Sequence, residues 1–146
     1  MKSKKLESYL EKLIHHLSEI NQEIFSSGDY KDFLSLCNND ISIIALLDKH
    51  PGTTAKQISI KLNLSKTTVI TAVSRLVKRG YIIKEKNLED GREQLLKLTD
   101  LGEGVNKKHK QYEKYFIEEF MNLFREEDYE ALKGILERSR LCTITE

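Results

Sequence analysis

The chain has 146 residues, 39% of them hydrophobic and 32% charged, with a formal net charge of +1. That length supports one domain with a real core, and a single Pro with no low-complexity tract argues against a long disordered linker. No apolar run approaches the roughly 20 residues that span a bilayer. Glu7, Glu11 and Lys12 also interrupt any secretory apolar core, so a cytoplasmic protein without a membrane partner is expected.

Charge is unevenly spread. Residues 54–99 hold ten Lys/Arg against four Asp/Glu, a local +6, and the remainder carries −5. A basic middle between acidic flanks points to a local polyanion contact. Cys37 and Cys142 lie far apart and form no CxxC or metal spacing. In a cytosolic chain both are expected to be reduced.

Leu6, Leu10, Leu13, Leu17, Ile20 and Ile24 recur at spacings of four and three, one narrow stripe on a long helix. Such a stripe resembles a coiled-coil seam and needs a partner surface. "SSGDY" at 26–30 ends it. Asn39 can cap the next helix, "DISIIALLDKH", which stops before Pro51-Gly52.

Thr54 and Gln57 fit a capping box at the start of a short helix whose inner face is Ala55, Ile58 and Leu62. Asn63 tolerates the left-handed conformation that ends a helix. Leu64 fills the turn, and Ser65 caps the following helix. That helix buries Val69, Ala72, Val73, Leu76 and Val77, and Gly80 ends it. "YIIKEK" reads as a strand with Tyr81 and Ile83 on one face, and "LLKLT" as a second strand with Leu96 and Leu98 sharing a face. The polar stretch between them makes a hairpin.

From about Asp100 the pattern is helical again, with Leu101, Val105, Tyr112, Phe116, Phe120 and Leu123 on one stripe. Tyr115, Ile117, Met121 and Phe124 widen it beyond the needs of one-sided packing. A last helix carries Tyr129, Leu132, Ile135 and Leu136. The order is a mainly α fold with a small β-hairpin wing: a winged helix-turn-helix core flanked by N- and C-terminal helices.

The second helix of the turn motif has an outer face of Ser65, Lys66, Thr67, Thr68, Ile70, Thr71, Ser74, Arg75 and Lys78, and no acidic residue falls between Ser65 and Lys84. Small hydroxylated side chains let a helix sit close in a major groove. Ser and Thr can bond phosphates or base edges, an Ile or Thr methyl can meet a thymine methyl, and Lys or Arg can meet phosphate or guanine. On the hairpin, Arg92 is placed to enter a minor groove.

The segment from Ala55 to Gly102 resembles the DNA-binding core of the MarR (multiple antibiotic resistance regulator) family. The marks are Leu64-Ser65, Val69, Arg75-Leu76, Gly80, Ile82, Asp90-x-Arg92 and Leu98-Thr99 followed by Gly102. The resemblance implies a single domain over 1–146, with a winged-helix DNA-binding lobe at about 38–99 and dimerisation helices at about 4–26 and 100–140. It implies a transcriptional regulator acting as a homodimer on double-stranded DNA, with the recognition helix in the major groove and Arg92 at the minor groove. It also implies an Arg75–Asp90 brace between wing and helix. The narrow stripe Leu6, Leu10, Leu13 and Leu17, together with Tyr112, Phe116, Phe120, Leu132, Ile135 and Leu136, is expected to form the dimer interface. A dimer presents two recognition helices to a pseudo-palindromic operator.

Family members often bind a small aromatic or anionic effector, and a ligand-responsive repressor is the resulting expectation. The apolar junction near Leu36, Ile43 and Leu47 is a candidate pocket for it. His15, His16, His50 and His109 do not cluster in sequence, and no metal or cofactor is expected. His109, between Val105 and Tyr112 on the stripe, fits a core or interface residue. There is no nucleophile motif, phosphate loop or metal spacing, so an enzyme is not expected. Two other readings stay open: a winged-helix protein-interaction module without specific DNA binding, and a redox-responsive regulator using Cys37. Here Thr71 stands at a commonly basic family position and Ile70 at a commonly polar one, which bears on base preference.

Overall fold

The computed structural model describes residues 3–26, 28 and 30–143. Of the segment expected to end the first helix, Ser27 and Asp29 lie outside the described residues, as does the side chain of Cys142. Among the described residues, seven α-helices and one hairpin follow in the order α1 (Lys4–Ser26), α2 (Lys31–Leu34), α3 (Asn38–Lys49), α4 (Ala55–Lys61), α5 (Lys66–Lys78), β1 (Ile82–Lys86), β2 (Gln94–Leu98), α6 (Asp100–Met121) and α7 (Tyr129–Glu137). The chain divides into two compact units, one of residues 1–23 with 113–146 and one of residues 24–112.

The unit of residues 24–112 is the winged helix. Ile43, Ile44 and Leu47 of α3, Ile58 of α4, Val69, Ala72, Val73 and Leu76 of α5, and Ile82 and Leu96 of the hairpin form one buried cluster. Burying each large aliphatic side chain contributes about 1.5–3 kcal/mol. The hairpin is antiparallel, with Ile82 opposite Leu98 and Lys84 opposite Leu96. Its second strand is also fixed on its other side. Gly52 N–H donates to Leu96 C=O at 2.9 Å, and Leu96 N–H donates to Thr53 C=O at 3.1 Å.

Two helices end in the same way. At the end of α4, Asn63 takes φ 50°, Leu64 N–H reaches Ser59 C=O at 3.0 Å, and Asn63 N–H reaches Ile60 C=O at 3.3 Å. At the end of α5, Gly80 takes φ 79°, Tyr81 N–H reaches Leu76 C=O at 2.9 Å, and Gly80 N–H reaches Val77 C=O at 3.0 Å. Both are Schellman closures, which satisfy otherwise orphaned helix carbonyls and fold an apolar residue back onto the helix. The capping box at Thr54 and Gln57 forms as expected, with backbone-to-side-chain bonds of 2.9 and 3.2 Å.

Three expectations about local structure change. First, α3 starts at Asn38 with Cys37 in the cap position, not at a cap formed by Asn39. The Asp40 carboxylate accepts the Cys37 N–H at 3.3 Å, which anchors the turn earlier in the chain than Asn39 would. Second, Tyr81 and Ile83 do not share a buried strand face. Tyr81 is buried because the Schellman closure brings it back onto Leu76. The strand begins after it, so that Ile82 faces the core and Ile83 faces out. Third, the apolar junction near Leu36, Ile43 and Leu47 is filled core. Ile43 and Leu47 are fully buried. The void beside it, lined by Phe33, Leu36, Ile41, Ile44, Val105, Asn106 and His109, measures about 10 Å³, room for one water at most.

At one margin of this unit the rings of Phe25, Tyr30, Phe33, His109 and Tyr112 pack together, with Phe33 5.1 Å from Tyr112 and 5.3 Å from His109. His109 thus sits on the stripe as an aromatic packing partner. Tyr112, expected at a dimer interface, packs within the lobe, and burial pushes its phenol above its ordinary pKa.

The other unit is of a different kind. Its helical segments are amphipathic, yet Ile20 alone among its described residues is buried. Leu6, Leu10, Ile117, Ile135 and Leu136 are exposed, while Leu13, Leu17, Phe116, Phe120 and Leu132 are half-buried. Locally, the Phe120 and Phe124 rings lie 5.2 Å apart, and Arg125 pairs with Glu127 and Asp128 ahead of α7.

Candidate nucleic-acid interface

The turn between α4 and α5 fixes how the second helix is presented. Ser65 Oγ accepts the Thr68 N–H at 3.1 Å and lies 2.7 Å from Thr68 Oγ1, so the two hydroxyls brace the first turn of α5. With Val69, Ala72, Val73 and Leu76 turned into the core, Lys66, Thr67, Ile70, Thr71, Ser74, Arg75 and Lys78 are left exposed, and Thr68 is half-exposed. Every α5 position expected on the outer face is found there. A carboxylate-free face with a positive N-terminal dipole end suits a polyanion.

Arg75, however, is not free. Its Nε and Nη2 donate to the two carboxylate oxygens of Asp40 at 3.1 and 2.5 Å, and Nη2 also approaches Cys37 Sγ at 3.4 Å. Asp40 is only 1% exposed and Arg75 42%. Hydrogen bonding to Asp40 raises the guanidinium's pKa further above its already high ordinary value. The expected Arg75–Asp90 brace is therefore replaced by an Arg75–Asp40 clamp that ties α5 to the first turn of α3. Asp90 is engaged within the wing, where its Oδ1 accepts the Arg92 N–H at 3.0 Å and its C=O accepts the Glu93 N–H at 3.1 Å. A short polar side chain next to a turn glycine satisfies its own backbone more readily than it reaches a distant cation.

A second tether lies one turn further on. Arg79 donates to Ser35 C=O at 3.2 Å and to the Ser35 hydroxyl, and its guanidinium lies 5.1 Å from the Tyr81 ring centroid. Both arginines of this stretch thus point back to residues 35–40. Lys66 and Lys78 are the α5 cations without an ion pair among the described residues.

Two depressions flank α5. One, of about 300 Å³, is lined by Asn39, Thr67, Thr68, Thr71, Ala72 and Arg75. The other, of about 290 Å³, runs between α5 and the wing and is lined by Ile70, Val73 and Ser74, by Lys84, Arg92, Glu93, Gln94 and Leu96, and by Thr54, Ala55 and Lys56 of the α4 start. Arg92 thus shares one surface with the helix. The sequence reading passed over Asn39, Asp40, Lys56 and Lys84. For Lys84 a signal was present, since it falls opposite Leu96 in the hairpin register.

Residues 36–94 match the MarR family. That segment is similar to MarR-family domains. The transcriptional regulator AdcR of Streptococcus pneumoniae is 28% identical over 107 residues, 73% of this chain and 71% of that protein. The fold is that of solved MarR-type structures. YusO from Bacillus subtilis superposes with a TM-score of 0.73 at 19% identity, covering 94% of this chain and 96% of that one. Streptococcus pneumoniae FabT in complex with DNA gives 0.65 at 22% identity, covering 94% and 99%. MarR-family proteins are transcriptional regulators with a DNA-binding winged helix, and the MarR match here takes in α3 through the start of β2, the elements that build the exposed face of α5 and the wing.

Proposed function

We propose that the chain is a sequence-specific DNA-binding transcriptional regulator, working as a homodimeric, ligand-responsive repressor on a pseudo-palindromic operator. The observation that carries DNA binding is the carboxylate-free outer face of α5, continuous through one groove with Arg92 of the wing. Lys66, Thr67, Thr68, Ile70 and Thr71 face the bases, Ser65, Ser74 and Lys78 meet the backbone, and Arg92 reaches the minor groove. Arg75 serves by holding α5 on Asp40. The lobe at about 38–99 reads DNA, and helices at about 4–26 and 100–140 hold the dimer. The exposure of Leu6, Leu10, Ile135 and Leu136 favours that assignment, because an amphipathic face without a cover wants a second copy. The repressor and effector roles rest on family kinship. A small aromatic or anionic ligand has to bind somewhere other than the filled junction at Leu36, Ile43 and Leu47.

Selection of bound sequences from random duplexes tests the reading. It should return an inverted repeat with half-sites about one helical turn apart, or a multiple of it. A single unrepeated motif would sink the dimer, and no enrichment would favour a protein-interaction module. In the same assay Arg92→Ala lowers affinity, and Thr71→Ala shifts base preference while leaving the salt dependence unchanged.

A further inference from the structure

The groove between α5 and the wing gathers cations from three separate elements: Lys56 from the first turn of α4, Lys84 from β1 and Arg92 from the wing. All three are exposed, and none has an ion pair among the described residues. Glu93 is the opposing charge in the lining. The register makes Lys84 unusual. It pairs with Leu96, so its side chain leaves the hairpin on the Leu96 side, turned toward α5, while apolar Ile83 points away. Three exposed cations against the single carboxylate of Glu93 leave this groove with a surplus of positive charge, which suits an anion from outside.

Duplex geometry supplies one. A major groove and the neighbouring minor groove share a single sugar–phosphate strand as their common wall. With α5 in one groove and Arg92 at the other, that strand has to cross the space between them. We infer that this groove seats backbone phosphates of duplex DNA, with Lys56 and Lys84 as phosphate contacts and the Ser74 hydroxyl as a donor beside them. The inference rests on the DNA-binding reading above and extends it to α4 and β1, elements not assigned to the interface from sequence. Lysine contacts of this kind release counterions and carry no base information.

The test measures affinity of the full-length protein for a random-sequence duplex and for its selected operator, across salt from about 50 to 200 mM. Each phosphate contact contributes about 0.9 to the slope of log affinity against log salt. Lys56→Gln and Lys84→Gln should therefore each flatten the slope by about 0.9 per protomer, equally on both duplexes. Lys108→Gln, the same charge change at an exposed α6 position outside the groove, should keep the wild-type slope. Glu93→Gln should tighten binding. Unchanged thermal midpoints would show that the exposed lysines act on binding and not on folding. If the wild type binds steeply but the Lys56 and Lys84 variants match Lys108→Gln, the phosphate seat is overturned and the DNA reading survives. If the wild type has no duplex affinity, both are overturned.

Discussion

In the unit of residues 24–112, side chains from three helices and a hairpin close over one another until Ile43, Ile58, Val69 and Leu76 have no contact with solvent. In the unit of residues 1–23 and 113–146 the helical segments are as clearly striped, yet Leu10 stays 47% exposed and Ile135 57%. Both are made of amphipathic helices. The difference lies in the connections. The lobe joins short helices through tight Schellman turns, which fold each apolar face onto the next within a few residues. Among the described residues of the other unit no such closure occurs, and the stripes of its helical segments stay open. Periodicity shows that a face needs burying; connection length decides whether the same chain can bury it.

On the proposed homodimer, the largest effect should come from denying the arms their cover. Leu10→Glu combined with Ile135→Glu should give a monomer by sedimentation at low micromolar concentration. Operator affinity should fall by about two to four orders of magnitude, since bivalent engagement is lost. Circular dichroism should still report a folded lobe, and retention of the dimer would break the comparison. Next is the converse experiment. Leu76→Ala removes a fully buried side chain from the lobe and should destabilise it by about 2–5 kcal/mol in denaturant titrations. The equivalent cut at exposed Leu10 should change monomer stability far less.

Smaller, and aimed at the clamp, is Asp40→Asn. Losing charged hydrogen bonds costs about 1.5–3 kcal/mol each, but Arg75 is 42% exposed and can take up water. A net loss of about 1–2 kcal/mol is expected. Its DNA consequence separates two roles for Arg75. If the guanidinium positions α5, Asp40→Asn and Arg75→Gln both weaken binding, and their combination is no worse than either. If Arg75 instead grips phosphate, removing the Asp40 charge should strengthen binding. The smallest effect concerns Tyr112. Its folded pKa lies above the ordinary phenol value of 10.0, so the stabilising difference is intact below about pH 10 and is lost as pH rises through the folded value. Tyr112→Phe should remove that alkaline decline, as seen in thermal midpoints between about pH 9 and 11.

Local grammar was readable from the sequence. The Thr54–Gln57 box, the left-handed Asn63 and Gly80, the Ser65 cap and the buried face of α5 all depend on residues within a few positions of one another, and all stand as expected except that Val77 is only half-buried. What depended on long-range partners was not. Arg75 was paired with Asp90 by resemblance, whereas Asp40 holds it across 35 positions. The face of β1 was misjudged because Tyr81 looked like a strand residue when it closes a helix. Lys56 was passed over because α4 looked like a supporting helix, and only the fold brings its first turn beside the wing.

The inward tethers of Arg75 and Arg79 bear on how such a protein would search a chromosome. Sliding along a duplex needs contacts that pass from one phosphate to the next without disturbing the scaffold. Lysine ammonium groups on flexible stems suit that handover, and Lys56, Lys66, Lys78 and Lys84 are exposed around α5. The two guanidiniums are instead seated on Asp40 and Ser35. On the proposed duplex, α5 would therefore travel at a fixed pitch to its lobe, testing each site by the fit of its Thr and Ser side chains. Scanning speed and stopping would then depend on different residues: lysines for the motion, hydroxyls for the halt.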